Sequence, residues 1–162
     1  MCLAALFNYE RNDFMAAEYS GISLQTVDVD NNIIFANSFR ACRKGFIEHR
    51  NESGIFTLKG ASNGCRAVYR VTFDGNIAAS AAADGGVLGP ISIALTINGE
   101  PLGNATAIVT PAALATDFFN VSITTFIDVP CNCCVTVSVE NVSDNDSSID
   151  VTNANIIFDR VA

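Results

Sequence analysis

From Leu24 to Val161 the chain is a succession of short runs in which apolar and polar residues alternate with period two, and no ten-residue segment shows helical periodicity. In Ala67–Phe73, Ala67, Tyr69, Val71 and Phe73 share one face while Val68, Arg70 and Thr72 share the other. In Ile91–Ile97, Ile91, Ile93, Leu95 and Ile97 oppose Ser92, Ala94 and Thr96. Phe119, Val121, Ile123, Thr125, Ile127 and Val129 alternate with Asn120, Ser122, Thr124 and Asp128; Val135, Val137 and Val139, Ile149–Val151 and Asn155–Val161 follow. Such strands bury one face each. Asn98-Gly99 is a pair that supplies positive φ to a tight hairpin, and Asp84-Gly85-Gly86 and Gly89-Pro90 break the chain before Ile91. About ten strands at this spacing predict an all-β fold of two packed antiparallel sheets.

The first residues differ. Leu3, Phe7, Phe14 and Tyr19 lack alternation, so residues 1–22 are expected to form an arm or anchoring segment and residues 23–162 a single sandwich domain. No basic leader precedes an apolar run, which argues against a secretion signal. No stretch approaches the roughly 18 apolar residues of a membrane span, so membrane insertion is not expected. The net charge of −8 disfavours nucleic acid, whose binding needs a positive footprint. Charge is also segregated: seven of nine basic residues lie within Arg40–Arg70, and none lies between Val71 and Asp159. With only 16% charged residues against 49% hydrophobic ones, either the core is large or part of the surface is buried in an oligomer.

The tract Arg70-Val71-Thr72-Phe73-Asp74-Gly75-Asn76-Ile77-Ala78, with Ile91-Ser92-Ile93-Ala94-Leu95-Thr96-Ile97-Asn98-Gly99-Glu100-Pro101, resembles the central hairpin of the C-terminal heads of bacterial exosporium glycoproteins of the BclA type. The ending Ala154-Asn155-Ile156-Ile157-Phe158-Asp159-Arg160-Val161-Ala162 is similar to that family's last strand. The resemblance runs from about Leu24 to the C-terminus and implies a jelly roll like those of tumour necrosis factor and the complement heads. It further implies a homotrimer with apolar strand faces meeting at the threefold axis, on a bacterial spore or cell surface; the heads of phage fibres and virion decorations are also similar. The chain carries no Gly-X-Y tract.

Candidate chemistry is sparse, and no catalytic residue is assigned. His49 stands alone between Glu48 and Arg50, no glycine pattern frames a serine nucleophile, and no glycine-rich loop cradles phosphate. A Cys42–His49 pair is the one arrangement that would suit an enzyme. Six cysteines leave three readings open: disulfides joining Cys131, Cys133 or Cys134 to Cys42 or Cys65, with Cys2 as an intersubunit thiol; unpaired thiols; or a structural zinc site, whose paired two-plus-two spacing is absent. Asp144, Asp146 and Asp150, with Ser148, alternate as hard oxygen donors suited to calcium, as do Asp28, Asp30 and Asn32; no other cofactor is implied. Five Asn-x-Ser/Thr triplets, at Asn51, Asn104, Asn120, Asn141 and Asn145, would take glycans only in a secretory pathway. The expected function is therefore a non-enzymatic structural or surface head that binds its own copies, with a glycan- or protein-binding adhesion module as the alternative.

Overall fold

The computed structural model describes residues 15–40, 45–61, 66–80, 89–111, 117–144 and 148–162. Within them the chain forms β1 (Ala16–Gly21), β2 (Gln25–Val27), β3 (Asn37–Arg40), β4 (Ile47–His49), β5 (Phe56–Lys59), β6 (Ala67–Ala79), β7 (Ile91–Ile97), β8 (Glu100–Val109), β9 (Phe119–Val129), β10 (Cys134–Asn141) and β11 (Ile149–Arg160). One sheet has the order β3-β1-β11-β6-β9, with β2 also on β11; the other has the order β4-β5-β10-β7-β8. All pairings are antiparallel. The chain crosses from one sheet to the other repeatedly, as between β5 and β6, β6 and β7, β8 and β9, β9 and β10, and β10 and β11, which gives a two-sheet jelly-roll sandwich.

The period-two pattern orients the strands as the sequence predicts. Along β9 the residues Val121, Ile123, Thr125, Ile127 and Val129 are buried while Asn120, Ser122, Thr124, Phe126 and Asp128 are exposed. Between the sheets Phe56 meets Phe158 (ring centroids 4.8 Å) and Phe35 (5.4 Å), and Phe35 meets Phe73 (6.4 Å). These offset and edge-on pairs add about 0.5–1.5 kcal/mol each to the burial term. Tyr69 ties the sheets together, its buried phenol donating to the Lys59 carbonyl at 2.6 Å. β7 and β8 turn through Asn98 and Gly99, both at positive φ (53° and 84°), as a two-residue hairpin requires.

Two expectations need correction. Ala16–Gly21 falls inside the expected arm, yet it is β1, hydrogen-bonded between β11 and β3, so the sandwich begins ahead of residue 23. Residues 1–14 lie outside the described residues. β7 also buries both faces, because Ser92, Ala94 and Thr96 are small and β7 lies between β10 and β8. The Thr96 and Ser138 hydroxyls satisfy each other there at 2.6 Å.

β1 and β2 share one edge of β11. Where β11 passes from one to the other its register shifts between Thr152 and Asn155, with Asn153 at φ 52°. The Ile22 carbonyl accepts from the Asn153 N–H and the Thr152 hydroxyl, closing the gap between the two short strands.

Candidate assembly face

The β3-β1-β11-β6-β9 sheet turns one face to the core and the other outward. Register aligns the outward residues in rows: Phe126–Arg70–Asp159–Ala16, then Thr124–Thr72–Ile157–Glu18, then Ser122–Asp74–Asn155, where the row ends on the buried Ser20. Most polar groups in these rows bond one another. The Arg70 guanidinium donates to Asp159 at 2.6 Å, the Thr72 and Thr124 hydroxyls lie 3.2 Å apart, and the Asn155 amide donates to Glu18 at 2.9 Å. Beside them Arg66 pairs with Asp128 at 3.5 Å. Among them Phe126 stands out, 64% exposed; Phe39, at the bulge where β3 meets β1, is 65% exposed. Ile157, in the middle of the second row, is half-buried. A face with its polar groups cross-linked and a large apolar side chain standing out is suited to meeting a copy of itself.

Phe126 is the residue that the alternation hides. It stands in the polar phase of β9, where Asn120, Ser122, Thr124 and Asp128 surround it, and an aromatic ring in that phase is the sequence signal for a covered face.

The other candidate residues are spread over the molecule. Cys131 and Cys133 lie in the turn between β9 and β10, and Cys134 opens β10; all three are free thiols, Cys131 half-buried and the other two exposed. Cys2, Cys42 and Cys65 lie outside the described residues, as does Asp146. Asp144 is exposed in a turn. Asp150 accepts the Thr26 hydroxyl at 2.7 Å, and Asp28 accepts the Ser148 hydroxyl at 2.6 Å. Among the described residues no three carboxylate, thiol or imidazole groups converge as metal ligands. Asn141 is fully buried, its amide donating to the Val27 carbonyl, so its triplet is closed to a glycan.

His49 is half-buried rather than on the surface, stacked on Phe56 at 4.5 Å and donating through Nε2 to the Ser53 carbonyl at 2.8 Å. It borders an open hollow of about 470 Å³ lined by Glu48, His49, Arg50, Ser53, Ile55 and Thr57. None of the described thiols reaches it: His49 sits opposite Phe56 on β5, whereas Cys134 sits opposite Lys59, three residues along and on the other side of that strand.

Glu140 carries a cluster that periodicity does not reveal. Burial first, then the charges of Asp30 and Glu100, push its carboxyl above the usual carboxylate range.

No protein family matches the chain by sequence, and no curated protein does. Solved structures do match in fold. The chain is similar to the globular domain of zebrafish complement 1qA protein, with TM-score 0.59 and 11% identity over 92% of this chain and 98% of that one. It is similar as well to the Eiger TNF of S. frugiperda, with TM-score 0.63 and 13% identity over 92% and 93% of the two chains. At such identities the likeness establishes architecture, and the architecture is the jelly roll of the complement-head and tumour-necrosis-factor type.

Proposed function

We propose that this chain is a non-enzymatic head that assembles as a homotrimer through the outer face of the β3-β1-β11-β6-β9 sheet. The observation that carries the reading is Phe126, an aromatic ring 64% exposed in the polar phase of β9, the edge strand paired along its length with β6. Leaving such a ring in water forgoes roughly 1.5–3 kcal/mol per copy, which a matching face recovers. The fold and the resemblance to exosporium heads, which trimerise through apolar strand faces, support three copies rather than two. Size-exclusion chromatography with light scattering tests this directly: three times 17.1 kDa is expected at micromolar concentration, and a monomer would overturn it.

The same resemblance supports a place on a bacterial spore, cell or phage particle, where the head decorates a surface. Antibody labelling of intact particles is the test, with signal on the outside expected and none there counting against it.

A further inference from the structure

The turn from β9 into β10 holds three thiols in four residues, Cys131, Cys133 and, as the first residue of β10, Cys134, and its backbone is firmly held. Asn132 takes φ 53°, the Cys133 N–H donates to the Pro130 carbonyl at 3.3 Å, and the Asn132 N–H donates to the Ala61 carbonyl at 3.1 Å. The Gly60 N–H donates to the Cys133 carbonyl at 2.8 Å, and Gly60 packs so tightly that a Cβ there would lie 2.0 Å from the Pro130 carbonyl oxygen. The turn is therefore a fixed platform for its side chains.

Its thiols cannot all satisfy one another. Neighbouring Cα atoms are about 3.8 Å apart, closer than the roughly 4.4–6.8 Å that an unstrained disulfide spans, so Cys133 and Cys134 are a poor pair. With three thiols in the turn, any single pairing within it leaves one over. Direction matters as well. Val135 faces the core, so Cys134, the residue before it, points out of the β4-β5-β10-β7-β8 sheet beside Lys59 and the Glu48 carboxylate that Lys59 pairs with. That is the sheet opposite the assembly face, and it stays open after the proposed trimer forms.

We propose that this turn is a redox-controlled docking point for a second copy of the chain, in which Cys133 or Cys134 forms a disulfide with the same turn on another assembled head. Identical turns meeting about a twofold axis make a self-complementary contact, with each Lys59–Glu48 pair offering a cation and an anion to its counterpart. The oxidant is a small disulfide such as oxidised glutathione. A turn thiolate attacks it, forming a mixed disulfide and releasing one glutathione thiol; a second chain's thiolate then attacks the protein sulfur and releases the other. Two protein thiols become one disulfide, one glutathione disulfide becomes two thiols, and the two protons follow the leaving sulfurs. That the turn stays open in the assembled head rests on the assembly reading, but the covalent link does not.

The test treats the full-length reduced chain with oxidised glutathione, followed by non-reducing electrophoresis, light scattering and mass mapping of alkylated peptides. A two-chain band that dithiothreitol removes is expected, with a native mass at least twice that of the reduced assembly. C131S should behave as wild type, and C133S/C134S should lose both signals while keeping the wild-type circular dichroism. Cross-linking that persists in C133S/C134S, glutathione adducts without cross-links, mapping of Cys133 and Cys134 into intrachain disulfides, or cross-links that leave the native mass unchanged would each overturn the proposal. A monomeric mass for the reduced chain would instead defeat the trimer, leaving the two-chain band still legible.

Discussion

Ser20, on β1, has a hydroxyl that is buried, with the residue 4% exposed, and without a hydrogen-bond partner. Removing an unsatisfied buried hydroxyl recovers its desolvation cost, so Ser20→Ala should stabilise the fold by about 1 kcal/mol, read as a higher denaturant midpoint at unchanged slope. Glu140 has the opposite kind of mismatch, a charge that burial and the acidic neighbours Asp30 and Glu100 disfavour. Its carboxyl holds a proton more tightly in the folded chain than in the unfolded one. Its contribution is therefore most favourable below the unfolded value and is lost as pH rises through the raised folded one. Glu140→Gln should unfold at a higher temperature than wild type at neutral pH, with the difference vanishing below about pH 4, where both side chains are neutral. Thermal melts across that range check it. Neither residue announces itself in the sequence, since Ser20 sits in a stretch without alternation and Glu140 acquires its neighbours through the β8 and Asp30 turns.

Elements were legible where local chemistry and tertiary pairing agree. Asn98-Gly99 is the plainest case: both residues take positive φ, and the Asn98 side chain also accepts from the Thr136 N–H at 3.0 Å, pinning the hairpin to β10. Asn98→Ala should cost about 1–2 kcal/mol from the left-handed backbone alone, while Asn98→Gly should cost less because it keeps the conformation and loses only the bond to β10. Chemical denaturation of the two variants separates those terms. β1 shows the converse. Ala16-Ala17-Glu18-Tyr19-Ser20-Gly21 has no β-branched residue and one large apolar side chain, so its strand state comes from ladders on both sides, to β11 and β3. Pairing imposed from a strand more than a hundred residues away leaves no mark in a local pattern. The bulge at Asn153 is likewise set by the change of partner from β2 to β1, a fact of topology rather than of composition.

For the whole molecule, alternation reveals which face of each strand is buried but not which outward face meets another copy. That second question turns on exceptions to the pattern, and two aromatic or aliphatic exceptions stand on opposite sides of the sandwich. Phe126 projects from the outer face of the β3-β1-β11-β6-β9 sheet; Ile108, 69% exposed, pairs with Ser92 and projects from the outer face of the other sheet. Both are large and apolar, so exposure alone does not choose between them. The surroundings differ: both residues stand on edge strands, β9 and β8, but Phe126 adjoins rows of polar side chains already bonded to one another. If the first face is the interface, Phe126→Asp places three carboxylates in buried positions and removes three rings from the contact. It should convert the trimer to monomer at micromolar concentration, with the monomer's strand content unchanged because the position is solvent-facing within one chain. Ile108→Asp makes the same chemical change on the opposite side and should leave the trimer intact. Light scattering on the pair decides the matter: dissociation by Ile108→Asp with Phe126→Asp still trimeric would move the interface to the other sheet.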